Sequence, residues 1–122
     1  MPTRAEQMQQ TLRTLVSTTP DVEGAAMVTL DGLPLSSALP SGADEDRVSA
    51  MAAAVLSLGE RTMHELQRGA LEQVYVKGSN GYVILMQAGH DAVLQAIVGP
   101  SAKLGMVLLD MKRAAQELAR MV

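Results

Sequence analysis

Apolar residues are spaced along this chain in two rhythms, and the rhythm changes wherever glycine and proline cluster. Between Thr3 and Thr18 the apolar positions Ala5, Met8, Leu12, Leu15 and Val16 recur at helical spacing, a narrow stripe on one side of a first helix. Thr3 with Glu6 fits a capping box, in which each side chain satisfies backbone donors at the other's position, and Pro20 stops the helix. Two strand-like runs follow, Gly24 to Leu30 and Leu33 to Ala38. Asp31-Gly32 between them is a strong hairpin signal, because a tight turn of this hand needs positive φ. Pro34 lies inside the second run. Proline cannot donate to a ladder, so that strand belongs at a sheet edge.

After the breaker Pro40-Ser41-Gly42, a second helix is predicted from an Asp44 N-cap to about Arg68, with Glu45 and Asp46 complementing its dipole and Gly69 as the C′ glycine. Its apolar arc is wide: Val48, Met51, Ala52, Val55, Leu56, Leu58, Gly59, Met63 and Leu66. A helix resting on one sheet face does not require such breadth, whereas a helix touching a sheet and a second helix does. Gly59 sits in the middle of that arc. A glycine there costs about 1 kcal/mol against alanine, and close approach of another element would explain it.

Three more strands are predicted, Leu71–Lys77, Tyr82–Ala88 and Ala92–Val98, joined by Gly78-Ser-Asn-Gly81 and Gly89-His-Asp91. The last two are apolar on both faces, so both faces must be covered. A final helix is expected from a Ser101 N-cap, with Leu104, Val107, Leu108, Met111, Ala115 and Leu118 as its buried stripe. The order α-β-β-α-β-β-β-α, with short hairpins and the Pro34 strand at an edge, predicts one α/β domain over residues 1–122. It is an α/β/α sandwich around a five-stranded antiparallel sheet of order 2-1-5-4-3. The third strand becomes the other edge, and no proline blocks it.

Composition narrows the function. With 48% hydrophobic and 19% charged residues the chain is globular, and 122 residues bury enough surface for a core without staples. A net charge of −3 and only two aromatics, Tyr75 and Tyr82, disfavour nucleic-acid binding. Cysteine is absent, which excludes disulfides, thiol chemistry and thiolate zinc sites. Nine methionines stand where other cores use phenylalanine. There is no apolar signal segment, no run long enough for membrane insertion and no myristoylation motif, so a cytoplasmic location is expected.

No catalytic or metal-ligating constellation emerges. His64 falls on an exposed helix face and His90 in a turn, and neither has a second histidine at metal spacing. Gly99-Pro-Ser-Ala-Lys-Leu-Gly105 lacks the Gly-Lys-Ser/Thr ending of a phosphate loop and reads as a helix start. Asp44-Glu-Asp46 reads as dipole complementation rather than a cation loop. Arg113, Glu117 and Arg120 read as a solvated ion-pair face.

Val22-Glu-Gly, Leu30-Asp-Gly-Leu33, the Ala-rich stretch Met51 to Leu58, Gly81-Tyr-Val-Ile-Leu85 and Leu104-Gly-Met-Val-Leu108 are specific in their order and spacing. By them the chain resembles the Roadblock family, the dynein light-chain type of small scaffold domain. It looks like the bacterial branch, similar to proteins encoded beside Ras-like small GTPases in gliding-motility and cell-polarity systems. The resemblance implies a homodimer whose second helices pack antiparallel and whose third strands pair edge to edge. Here that interface would take in Ala52, Val55, Leu56, Gly59, Met63, Glu72, Val74 and Val76. It also implies no catalytic residues, no obligatory cofactor, and a platform role that in some bacterial members includes stimulating GTP hydrolysis by reshaping the GTPase. The gliding-motility members usually carry a tail beyond the last helix, whereas this sequence stops at Val122, so no role of such a tail is carried over.

The expected function is therefore a homodimeric, non-enzymatic scaffold or regulator of a Ras-like small GTPase. Docking is expected through Ser57, Glu60, Arg61, His64 and Arg68, which fall within about 100° on the helical wheel, opposite the apolar arc. The alternative is a small-ligand sensor or a structural adaptor domain in a signalling complex. A sensor needs convergent polar groups in a pocket, for which Gln87 and Gln95 are the best candidates.

Overall fold

The computed structural model describes residues Met1–Val122. Eight elements follow in the expected order: α1 (Arg4–Thr18), β1 (Val22–Thr29), β2 (Pro34–Ala38), α2 (Glu45–Glu65), β3 (Gln73–Gly78), β4 (Gly81–Gln87), β5 (Ala92–Val98) and α3 (Leu104–Ala119). The strands form one antiparallel sheet of order β2-β1-β5-β4-β3. Strand alternation sends Met27, Ile84, Met86, Leu94 and Val98 to one face, where they meet Met8, Leu12 and Leu15 of α1 and Val107, Met111 and Leu118 of α3. The other face presents Val28, Leu85 and Val93 to Ala52 and Leu56 of α2. Helices on both faces of one sheet make the α/β/α sandwich that the doubly apolar strands demanded. No helix is long and apolar enough to cross a membrane.

Local chemistry explains most boundaries. The Thr3 hydroxyl accepts the Glu6 N–H at 3.1 Å, and the Glu6 carboxylate accepts the Thr3 N–H at 3.3 Å, so the capping box is formed. Asp44 accepts the Arg47 N–H at 3.2 Å and starts α2. Pro34 opens β2 on the sheet edge, at the point where the β1–β2 register shifts. The hairpin loop is one residue longer than the two-residue turn that Asp-Gly most often signals. Thr29 and Leu33 close it, and Gly32 alone takes positive φ, at 91°. The Leu33 N–H donates to the Thr29 hydroxyl at 3.0 Å, which favours this wider loop.

Two helix boundaries and one ion pair differ from expectation. α2 stops at Glu65 because Gln67 takes a left-handed φ of 55° ahead of Gly69, which follows at 86°. Ser101 is not the cap of α3: it sits in a turn, Lys103 is the N-cap residue with no side-chain bond, and the helix begins at Leu104. Arg113 pairs with Asp110 at 3.9 Å rather than with Glu117, whose carboxylate instead accepts from Thr11 on α1 at 3.4 Å.

Gln95 of β5 is 7% exposed and points to the α2 face between Ala26 and Leu85, with no partner for its Oε1. A buried unpaired acceptor costs roughly 1–3 kcal/mol, and methionine matches glutamine in length without that cost. Gln95→Met is therefore expected to hold or raise the urea-unfolding midpoint. A loss of more than about 1 kcal/mol would show that the amide is engaged after all.

Candidate interaction surface

α2 crosses its sheet face obliquely. Near its start Glu45 accepts a hydrogen bond from Ser37 of β2, and near its end Gly59 faces Val74 of β3. The helix is bedded on the sheet by small residues: Ala52 and Ala53 are buried, and Ser49 is fully so. This bedding splits the wide apolar arc in two. Ala52 (2% exposed) and Leu56 (4%) face the chain's own core, while Met51 (54%) and Leu58 (64%) stand out in solvent.

The residues expected at a dimer interface divide accordingly. Ala52 and Leu56 are enclosed within the chain and do not reach its surface. Val55, Gly59, Met63 and Val74 are half-buried, and Glu72 and Val76 are exposed. A groove of about 340 Å³ brings Val55, Leu58, Gly59, Thr62 and Met63 of α2 against Leu71 and Val74, beside the free edge of β3. The close approach at Gly59 is within the chain: a Cβ there would stand 3.1 Å from Val74 Cγ2 and 3.2 Å from Leu71 Cδ2. The glycine thus lets the lead into β3 tuck under α2, and the groove exists because it does. Met51 and Leu58 belonged to the sequence arc but not to the expected interface. Their signal was there, at the rim of the arc, one turn apart from Val55 and Thr62.

The polar residues expected to dock a partner also divide. Ser57, Glu60, Arg61 and His64 are all exposed on α2. Glu60 and His64 line a second groove, of about 740 Å³, whose other walls include Leu30 of the hairpin, Leu71 and Gln87 of β4. The sole ion pair in the chain is Arg113–Asp110, so Glu60 and Arg61 are uncommitted. Arg68 is outside this face. It follows the left-handed Gln67, which ends the helical progression, and its N–H folds back to Met63 O at 2.9 Å. Leu30 and Gln87 were not legible as neighbours of Glu60, since a hairpin tip and a strand end meet a helix only in the folded chain.

The candidate sensing residues do not converge. Gln95 is buried but lines none of these grooves, and Gln87 is exposed and donates to His90 O at 3.2 Å. No group of three acidic or histidine side chains is placed to hold a metal ion.

Comparison with known proteins adds a family and a shape. Residues 8–98 match the family model of the Roadblock/LC7 domain. An uncharacterised protein of Methanocaldococcus jannaschii is 35% identical over 103 residues, covering 84% of this chain and 90% of that one. A solved MglB with a tetrameric arrangement superimposes with a TM-score of 0.90 at 22% identity, over 99% of this chain and 91% of that one. The gliding protein MglB from Thermus thermophilus gives 0.86 at 21%, over 99% and 92%. At such identities the solved structures speak to the fold.

Because Val74 and Leu71 occupy the space beside Gly59, Gly59→Leu is expected to destabilise the chain itself by about 1–3 kcal/mol, the usual cost of overpacking. Chemical denaturation followed by circular dichroism checks it. An unchanged unfolding midpoint would mean that the tuck under α2 is loose.

Proposed function

The chain belongs to the Roadblock/LC7 family, and from that premise we propose that it acts as a homodimeric, non-enzymatic scaffold or regulator of a Ras-like small GTPase in the cytoplasm. One observation carries the reading. The exposed apolar flank of α2, with Met51 and Leu58 at its crest, runs into a groove beside a sheet edge that nothing caps. Unpaired edges and apolar flanks of this kind invite pairing with another chain. A twofold-related copy would bring α2 against α2 and β3 against β3 at once, a self-complementary contact. Self-association is also what the tetrameric arrangement of the MglB relative displays for that protein.

In this reading Met51, Val55, Leu58 and Thr62 form the helix contact, with Glu72, Val74 and Val76 contributing at the strand. Ala52 and Leu56 act from beneath by fixing the helix on its own sheet. Gly59 and Met63 sit at the mouth of the groove. Pairing would set two copies of Ser57, Glu60, Arg61 and His64 side by side, so that one GTPase touches both protomers. The uncommitted Glu60 and Arg61 supply specificity and register more than bulk affinity. Catalysis by the chain alone is not part of the proposal. Any stimulation of GTP hydrolysis would act by reshaping the bound GTPase.

The dimer is tested first. Light scattering should return twice the chain mass for the native protein and the single chain mass for Leu58→Asp, whose exposed side chain makes the fold indifferent to the change. A fully dimeric Leu58→Asp protein would place the contact elsewhere. Docking is tested next by reversing charge at Glu60 and Arg61 together. Capture of the cognate GTPase should weaken at least about tenfold, since about 1.4 kcal/mol suffices, while the dimer stays intact. Binding that survives the reversal would move the docking face to the exposed sides of α1 and α3.

A further inference from the structure

The sheet has two edges, and their backbones are left in different states. At the β2 edge, the β1–β2 loop closes with the Thr29 N–H donating to Leu33 O. Backbone groups alternate in direction along a strand, so Thr29, Met27 and Ala25 turn theirs toward β2. Leu30 accordingly turns the other way and donates to Asp91 O, just ahead of β5. Met27 stands opposite Ser36 and Ala25 opposite Ala38. Ser37, opposite Ala26, therefore has both backbone groups pointing away from β1, at the free edge. Its outward carbonyl is already taken: Gln9 of α1 donates its side-chain amide to Ser37 O at 3.2 Å. On the α2 side the Ser37 hydroxyl donates to the Glu45 carboxylate.

The rest of β2 is no better suited to pairing. Pro34 at its start has no N–H, and Leu35 is the unpaired residue of the register shift. A groove of about 490 Å³ at this edge is lined by Gln9 and Arg13 of α1 and by Glu45 of α2. An incoming strand would have to displace the Gln9 amide and pass charged side chains. β3, at the other edge, has none of these devices. Its two-residue loop to β4 is closed by Gly78 and Gly81, a pair that exchanges both hydrogen bonds. By the same alternation Lys77, Tyr75 and Gln73 turn their backbone groups outward. No proline interrupts β3, its register with β4 is unbroken, and no side chain is hydrogen-bonded to its backbone.

We infer that Gln9 and Pro34 close β2 to strand addition, so that the sheet is extended at β3 only, by the β3 of a second copy. The inference rests on β3 as the strand that pairs in the proposed dimer, while the closed edge is a property of each chain alone. A β3 that entered the β2 edge of the next copy would make a head-to-tail contact. Each such step leaves a free edge at both ends, and the assembly grows without limit. β3 on β3 occupies both open edges at once and is closed. Gln9 thus decides which edge a second copy finds, without touching that copy.

Gln9→Ala with Pro34→Val opens the edge. Both residues are half-buried, and circular dichroism with an unfolding midpoint checks the fold of every variant. In sedimentation velocity the native chain should reach a mass that levels off as concentration rises. The opened chain should show a mass that climbs without a plateau. Tyr75→Pro removes an outward N–H of β3 without breaking its ladder to β4. Added to the opened chain, it should abolish the growth, which separates strand addition from disordered aggregation. The growth should also appear when Leu58→Asp is present, so it is read whether or not the native chain pairs through α2. An opened chain that keeps the native plateau would overturn the inference, as would growth that Tyr75→Pro leaves intact or a native mass that climbs without limit.

Discussion

Ala52 and Leu56 of α2 rest on Val28, Leu85 and Val93, and most of what this surface offers depends on that layer being thin. The opposite face of the sheet has two helices and a core of 18 buried residues, whereas the α2 face has one helix and a core of five. A single helix cannot cover five strands. It buries the small-residue line of its arc and leaves the flank with Met51 and Leu58 outside. An arc too wide for one sheet face follows directly from the count of helices on each side.

The same imbalance shapes β3. The strand is last in the sheet, partly roofed by the end of α2 on one face and by nothing on the other. Its α2 side ends in the apolar groove beside Gly59, and its other side carries Tyr75 and Lys77. One strand thus offers three different surfaces: a backbone edge suited to a second copy, an apolar flank continuous with α2, and a polar, basic face. On the proposed scaffold role, such a division would let different partners be held without competing for one patch.

Elements with strong local signals are legible from residues alone. The Thr3–Glu6 capping box, the Asp44 cap, Pro34 on the edge strand and the strand order 2-1-5-4-3 follow from rules that act over a few residues or over the connection of neighbours. Where local signals compete, the residues alone mislead. Ser101 has the chemistry of a cap but lies in a turn, and Gly69 has that of a helix end but Gln67 turns left-handed first. At the first site the helix starts two residues later, at a Lys103 that makes no side-chain cap bond, and at the second a left-handed Gln67 ends the helix before the glycine is reached.

The sequence by itself determined that both sheet faces are covered, that α2 is apolar beyond the needs of one contact, that no cysteine chemistry is present, and which family the chain resembles. Periodicity and composition carry that information because each residue reports its own face and its own chemistry. Only the tertiary structure decided how the α2 arc divides. Ala52 and Leu56 went inward, Met51 and Leu58 outward, and Gly59 met Leu71 and Val74 of the chain's own lead into β3. It also brought Glu60 and His64 beside Leu30 and Gln87, set Lys77 over the Tyr82 ring, and placed Lys112 in a groove with Glu72 and Gln73. A helical wheel gives angles about an axis. Which angle meets the sheet depends on where the axis lies, and that is fixed by contacts between residues far apart in the chain.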